Sequence, residues 1–287
     1  MSIKLSNVTA ESKTTVSTPA SLDRRLCDAA LAAYRSIPRQ NWKGRHPFPG
    51  GEVVFADAER ARAYLAAGKH ALEVNGDPTG AIALLNASIR LDQASVLTDG
   101  DNLANRVLAF QAIGNEAPYH SLLLYDLGLK FARLERWHEA GAAYRASASL
   151  DPGFVWPLNN FAWMAATATE PLAHDGGLAV ALAERACLLS QWSCGCFLGT
   201  LAAAYARAGD FGRAVDWQRI TIELDDADGR DEEIARLDAF ANGKAFVDHH
   251  PTPVGRDISE DELEELDVET LRQQLLELTG RRLATLN

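Results

Sequence analysis

Apolar residues recur every three or four positions through most of residues 58–242, which is the period of an amphipathic helix. Prolines and glycines lie mainly between these periodic stretches, where they predict turns and loops. Upstream, residues 1–21 are rich in serine and threonine and predict a disordered tail. Residues 22–57 predict a short amphipathic helix over 22–37 and then an irregular segment rich in proline and glycine. The pattern therefore predicts an all-α fold.

One predicted helix pair, residues 121–154, shows the pattern most clearly. The positions that would face the partner helix mix small and bulky side chains, at Leu124, Leu127, Gly128, Phe131, Ala140, Tyr144 and Ser147. Gly128 and Ala140 allow two antiparallel helices to approach closely, and the aromatic rings fill the space between them. Such a pair cannot bury both of its apolar faces alone, so we expect it to stack on neighbouring pairs.

These positions resemble the tetratricopeptide repeat, whose pattern is W-x2-L-G-x2-Y, then A-x3-F, then P. Leu124 stands where the family has tryptophan, and Phe131 stands where it has tyrosine. Tyr144 replaces the phenylalanine, and Ser147 adds a hydroxyl where the family has alanine. The resemblance extends to a degenerate repeat at 58–92, repeats at about 121–154, 155–191 and 195–226, and a capping helix to 242. Between the first two repeats, residues 101–113 predict one more helix.

The resemblance implies a right-handed superhelical solenoid in which the first helix of each repeat lines a concave groove. Trp156, Asn159 and Trp163 are out of phase with the packing positions of their helix, so we expect them to face that groove. The full set of expected groove residues is Tyr125, Leu129, Arg133, Trp156, Asn159, Asn160, Trp163 and Arg207.

Each type of groove residue has an expected role. Trp156 and Trp163 would be apolar anchors, and the two arginines would pair with carboxylates of a partner. Asn159 and Asn160 would clamp a peptide backbone, as asparagines do in similar repeats. The alternative is that the protein's own chain covers at least one tryptophan, with residues 38–51 or the C-terminal helix as the covering segment.

The C-terminal region predicts a linker at 243–258 and one acidic amphipathic helix at 259–287. Ser259 followed three residues later by Glu262 is a capping-box pattern. Five leucines give this helix an apolar stripe, at Leu263, Leu266, Leu271, Leu275 and Leu278. It could fold back on the array, dimerise or engage another protein.

Charge and composition disfavour several classes of partner and location. The formal net charge of −11 disfavours nucleic acid and anionic membrane surfaces as partners. No stretch approaches the roughly 20 apolar residues of a membrane helix. Four cysteines in 287 residues are too few for a disulfide scaffold, so we expect a cytoplasmic, bacterial protein.

We expect no catalytic residues, no metal and no cofactor. His138 and Glu139 begin a zinc-protease motif that lacks its second histidine. Cys194 and Cys196 are too closely spaced for a typical zinc site, and small buried thiols are the simpler interpretation.

The expected function is a non-catalytic adaptor or scaffold that binds a protein or peptide in the concave groove. The alternative is an accessory subunit of an enzyme complex or biosynthetic pathway that docks a catalytic partner or substrate partly through its C-terminal helix. An enzyme with an unrecognised site is a third hypothesis. The partner and the oligomeric state do not follow from the sequence.

Overall fold

The computed structural model describes residues 28, 32, 46–47, 53–54, 58–91, 100–170, 175–190, 192, 194–224, 230–248 and 258–280. The expected tail at 1–21 and most of 22–57 lie outside these residues. Asp28 and Ala32, from the helix expected at 22–37, are both helical. The expected irregular segment contributes a two-residue antiparallel ladder between β1 (His46–Pro47) and β2 (Val53–Val54).

Helices account for the other elements of the described chain. Twelve helices follow in order: α1 Ala58–Glu73, α2 Pro78–Leu91, α3 Gly100–Ala112, α4 Ala117–Arg133, α5 Trp137–Leu150, α6 Trp156–Thr167, α7 Gly176–Leu189, α8 Gly195–Arg207, α9 Phe211–Leu224, α10 Arg230–Ala241, α11 Glu260–Glu264 and α12 Val268–Thr279. None of the described helices is long and apolar enough to cross a membrane. The predicted all-α fold is confirmed.

Most helices pack against their neighbours in sequence. The most extensive contacts join α1 to α2, α4 to α5, α6 to α7 and α8 to α9. The first helices of successive pairs also touch, since α6 contacts both α4 and α8. Local connections thus generate most of the packing, which is how the repeat pattern of the sequence stacks its apolar faces.

The α4–α5 pair shows how small residues permit this packing. Gly128 lies so close to Tyr144 that a Cβ atom on the glycine would stand 2.5 Å from Cδ1 of the ring. Ala140 is fully buried beside them. The expectation that Gly128 and Ala140 allow close approach is therefore confirmed.

Two serines close the other end of the same pair. The Ser147 hydroxyl donates to the Ser121 carbonyl oxygen (2.7 Å), and the Ser121 hydroxyl donates to the Ser147 carbonyl oxygen (2.9 Å). Both residues are fully buried. The hydroxyl that departs from the family pattern thus has a reciprocal partner, which avoids the cost of burying a polar group alone.

The apolar interior forms two clusters among the described residues. The smaller one lies in α1–α3 and comprises Leu65, Ala71, Ala81, Leu85 and Ala109. The larger one extends from α4 to α12. A buried ion pair joins the two parts, because Arg106 of α3 donates to both carboxylate oxygens of Asp151 at the end of α5 (2.5 and 3.2 Å). Arg106 also donates from Nε to Asn86 of α2 (3.0 Å).

The C-terminal region differs from the single helix expected at 259–287. Ser259 caps α11 by accepting from the Glu262 N–H, as the capping-box pattern predicts. That helix ends after five residues, and Asp267 then caps α12 by accepting from the N–H groups of Glu269 and Thr270. A second capping residue inside the acidic stretch therefore starts a second helix. Gly280 ends α12 in the left-handed conformation.

Candidate partner-binding face

Trp156 lies in the core rather than on an open surface. It is 5% exposed, and its ring meets Phe197 of α8 edge-on with the centroids 5.0 Å apart. The position that was expected to anchor a partner instead joins α6 to α8. The expectation that Trp156 faces an open groove is therefore not met, although a role in partner binding stays a prediction.

The two asparagines are also inside the protein. Asn159 is fully buried and Asn160 is 2% exposed. Asn160 Nδ2 donates to the Tyr125 hydroxyl (3.3 Å), and Asn159 Nδ2 donates to Asn160 Oδ1 (3.4 Å). Both amides thus bind side chains of the array, not a peptide backbone.

Tyr125 and Leu129 of α4 are buried as well. The Tyr125 ring packs edge-on against Phe154 at 5.0 Å. Desolvation by burial raises the pKa of Tyr125 well above its ordinary value, and the hydrogen bond from Asn160 opposes that shift. The phenol is therefore a neutral structural group at physiological pH.

Trp163 is the expected anchor that reaches the surface of the helix array. It is half-buried, and residues 244–248, which follow α10, lie over it. Its indole N–H donates to the Asp248 carboxylate (3.2 Å), and its ring lies 5.9 Å from that of Phe246. The guanidinium of Arg236 lies over both rings at 5.6 and 5.5 Å. The protein's own chain therefore covers this tryptophan.

Arg207, at the end of α8, binds carbonyl oxygens rather than the carboxylate that was expected. Its Nε donates to the Ala166 carbonyl (2.6 Å), and its Nη2 donates to the Phe246 carbonyl (3.2 Å). Partial burial lowers the pKa of Arg207 from its ordinary value of 12.5. Arg133 does approach a carboxylate, that of Glu260 at 4.0 Å, although the partner belongs to the same chain.

The last turn of α6 explains these contacts. Carbonyl groups at a helix C-terminus have no partner within the helix, so they need donors from elsewhere. The Ala165 carbonyl accepts from the Asp175 N–H (3.3 Å), and the Thr167 carbonyl accepts from the Asp248 N–H (2.9 Å). Arg207 donates to the Ala166 carbonyl, which lies between these two in sequence. Its guanidinium also places a positive charge at the negative end of the α6 dipole.

Two names are useful from here. The α6–α8 face consists of Trp163, Ala166, Thr167 and Arg207, with Arg236 of α10 at its edge. The strap is the non-helical segment 244–248 that lies on this face. The segment that the structure shows on Trp163 is the strap, which comes from the predicted linker and not from the C-terminal helix. The other expected covering segment, residues 38–51, lies outside the described residues except for 46–47.

The C-terminal helices continue past the strap onto α4 and α5. Arg272 of α12 donates to the Glu139 carboxylate of α5 (2.6 Å). Lys130 of α4 lies 3.8 Å from the carboxylate of Glu262. Leu271 and Leu275 are buried within the large cluster. Of the three fates that the sequence left open for this region, the structure shows the first, folding back on the array.

Cys194 and Cys196 form a local disulfide rather than the free thiols that the sequence predicted. Cys194 is bonded to Cys196, and Cys187 is a free, buried thiol whose Sγ donates to the Phe197 carbonyl (3.4 Å). Within the described ranges, no three or more His, Cys, Asp or Glu side chains are grouped to hold a metal ion. One local disulfide is not a disulfide scaffold, and the cytoplasmic location stays a prediction.

Sequence reasoning missed the strap because its contacts are long-range. Trp163 and Asp248 are 85 positions apart, and neither belongs to a motif that predicts the pairing. The available signal was the short apolar stretch Ala245–Val247 inside a segment that otherwise reads as a linker.

No protein-family model matches the sequence, and no curated protein matches it. The resemblance to tetratricopeptide repeats therefore rests on the residues quoted above.

Proposed function

We propose that this protein is a non-catalytic scaffold that binds another protein through a peptide or helix, and that its helix pairs form a solenoid of the tetratricopeptide type. The observation that carries the proposal is the α6–α8 face, where the array already holds a non-helical segment of chain. That face binds main-chain atoms through Arg207 and Thr167 and side chains through Trp163. A surface that recognises peptides needs both kinds of contact.

The helix packing supports the solenoid part of the proposal. Pairs of sequence neighbours make the largest contacts, and α6 lies between α4 and α8. In a solenoid, each unit contacts chiefly its neighbours, and the first helices line one continuous surface. The chain's net charge of −11 supports a protein partner over nucleic acid.

The burial of α12 favours the scaffold over an accessory subunit that docks through its C-terminal helix. In that alternative, the apolar stripe of α12 would be the docking surface. Leu271 and Leu275 are instead buried within the large cluster of the array. Docking through these leucines would require α12 to leave the array first.

Affinity capture followed by reconstitution tests the proposal. Proteins captured from cells of the source by the full chain would be purified, and direct binding measured by titration calorimetry. We expect a binary complex. In a Phe246→Ala, Asp248→Ala background, where the strap has lost its side-chain contacts, the Kd should rise about tenfold or more on adding Arg207→Ala, because binding is concentrated in a few central residues. Arg219→Ala, which changes an exposed arginine of α9, is the matched control and should leave the Kd unchanged.

Two results would contradict the scaffold function. One is that no captured protein binds the purified chain directly. The other is that the isolated chain converts a substrate at a rate that depends on one of its side chains.

A further inference from the structure

The strap begins with a defined reversal of the chain. Gly243 adopts a left-handed conformation (φ 68°) directly after α10. The Gly243 N–H donates to the Phe240 carbonyl (3.0 Å), and the Lys244 N–H donates to the Ala239 carbonyl (2.9 Å). This pair of hydrogen bonds is the Schellman motif, which ends a helix and redirects the chain. The strap therefore leaves α10 in a fixed direction, toward α6 and α8.

From residue 246 to residue 248, the side chains of the strap alternate between the face and solvent. Phe246 and Asp248 both contact Trp163, whereas Val247 between them is exposed. Alternation with a period of two is the behaviour of an extended chain. The face thus holds residues 246–248 as it would hold an extended peptide, and it contacts the first and third of their side chains.

The main-chain contacts of the strap do not depend on its sequence. Arg207 donates to the Phe246 carbonyl, and the Thr167 carbonyl accepts from the Asp248 N–H. Any extended peptide carries these two groups at the same spacing. These contacts therefore provide affinity for a peptide backbone without selecting among sequences.

The side-chain contacts do select a sequence. The Phe246 ring packs beside Trp163, and the guanidinium of Arg236 lies over both rings, which suits an aromatic group at this position. The Asp248 carboxylate accepts the Trp163 indole N–H, a half-buried donor that would otherwise lose its partner. Two cationic side chains, Arg207 and Arg236, lie on this face of a strongly acidic protein, and Arg236 is also ion-paired with Glu233 of its own helix. The site therefore favours an aromatic residue followed two positions later by a carboxylate.

From these contacts, and resting on the proposed function, we propose that the α6–α8 face binds an extended segment of a partner protein that carries an aromatic residue and, two positions later, aspartate or glutamate. The strap occupies this site in cis and competes with the partner segment. A tethered competitor acts at an effective concentration of about a millimolar, so it lowers the apparent affinity of any free peptide. The partner gains access as the strap leaves.

A peptide with the sequence of residues 242–250, NGKAFVDHH, labelled with fluorescein, is the probe. Fluorescence anisotropy would compare its binding to the full-length wild type and to a full-length Phe246→Ala, Asp248→Ala variant. We expect the variant to bind the peptide about tenfold more tightly or better, because the competing strap has lost its side-chain contacts. Val247→Ala, which changes an exposed strap residue, is the matched control and should bind as the wild type does.

Changes in the peptide test the recognised chemistry. In the released variant, replacing the peptide's phenylalanine by alanine, or its aspartate by asparagine, should weaken binding about tenfold each, as loss of a hot-spot contact does. Arg207→Ala in the same background should weaken binding as well, whereas Arg219→Ala should not. Thermal unfolding and far-UV circular dichroism would show that each variant is folded.

Three results would overturn the inference. Equal binding of the peptide to wild type and released variant would mean that the strap does not compete. Equal binding of a scrambled peptide would mean that the face does not read the sequence. A wild type of twice the monomer mass by light scattering, with the released variant monomeric, would assign the face to exchange of straps between two copies.

The same proteins and peptides distinguish a failure of this inference from a failure of the proposed function. A captured partner that binds the released variant when the peptide does not would sink the inference alone. Peptide binding without any direct protein partner would confirm that the face recognises this sequence and that the strap competes for it, but it would sink the proposed function and, with it, the assignment of the face to a partner protein.

Discussion

At the residue scale, single small or polar side chains determine how closely the helices approach. Gly128 leaves room for the Tyr144 ring, and the serine pair at Ser121 and Ser147 joins the same two helices through reciprocal hydrogen bonds. Positions of this kind were readable from the sequence, because the repeat pattern requires a small residue wherever two helices meet. The hydrogen-bond partner of Ser147 was not readable, since Ser121 belongs to no motif.

Replacing Gly128 with alanine should destabilise the protein. The added methyl group would stand 2.5 Å from the Tyr144 ring, and overpacking of this kind costs about 1–3 kcal/mol of unfolding free energy. Gly212→Ala in α9 is the matched control, because the nearest atom to its Cβ would be 3.7 Å away. Urea denaturation of both variants checks the prediction, and an equal midpoint for the two would contradict it.

At the scale of the helices, the helix ends determine the contacts with the rest of the chain more specifically than the middles of the helices do. The last turn of α6 leaves carbonyl groups that the rest of the chain must satisfy, and the strap satisfies one of them. The periodic pattern was sufficient to predict the helices from α4 to α10, because each buries one apolar stripe. It failed at the C-terminus, where the Asp267 cap interrupts a stretch that otherwise reads as one continuous helix.

Asp267→Ala should loosen α12 in a pH-dependent manner. Hydrogen bonds from the Thr270 hydroxyl, and then from the Thr270 and Glu269 N–H groups, hold the pKa of Asp267 below its ordinary value of 3.8. A carboxyl group with a lowered pKa in the folded state stabilises the fold above its unfolded pKa, and this contribution is lost as the pH falls through the folded pKa. At neutral pH, amide hydrogen exchange in α12 should therefore be faster in the variant than in the wild type.

The hydrogen-exchange measurements at low pH are the ones that test the capping role of Asp267. The difference between the two proteins should shrink as the pH falls below 3.8 and the wild-type carboxyl becomes protonated. Glu277→Ala, an exposed change in the same helix, should behave as the wild type at every pH. A difference that persists unchanged into acid would refute the capping role.

At the scale of the whole molecule, the chain runs out along the array and then returns. Residues 244–248 contact α8 and α6, through Arg207 and Trp163, and residues 258–280 contact α4 and α5, through Lys130 and Glu139. This order is the reverse of the order of the helices in the sequence. The C-terminal region therefore links helix pairs that would otherwise contact mainly their neighbours. The face on which the C-terminal region packs could not be predicted from the sequence, because side-chain contacts between residues so far apart in the sequence leave no periodic signal.

Weakening the attachment of α12 should make unfolding less cooperative. Leu271→Ala with Leu275→Ala would remove two buried side chains, at a cost of about 2–5 kcal/mol for each, limited by detachment of the helix itself. The helix pairs would then depend on neighbouring contacts alone, so the transition should broaden. Calorimetry checks this through the ratio of van't Hoff to calorimetric enthalpy.

A matched change on the exposed side of α12 tests whether the loss of cooperativity is specific to the two buried leucines. Gln273→Ala with Gln274→Ala alters two exposed residues of the same helix and should leave both the midpoint and the enthalpy ratio unchanged. If the two double variants unfold alike, the C-terminal helices do not hold the array together.

The position of the strap also bears on the order in which the protein is made. Because translation proceeds from the N-terminus, α6 and α8 are synthesised before Phe246 and Asp248. A growing polypeptide thus passes through a stage in which Trp163 has no cover and the Thr167 carbonyl no donor from its own chain. On the proposed function, that stage is the earliest in the lifetime of the molecule at which a partner could reach this surface without competition from the strap.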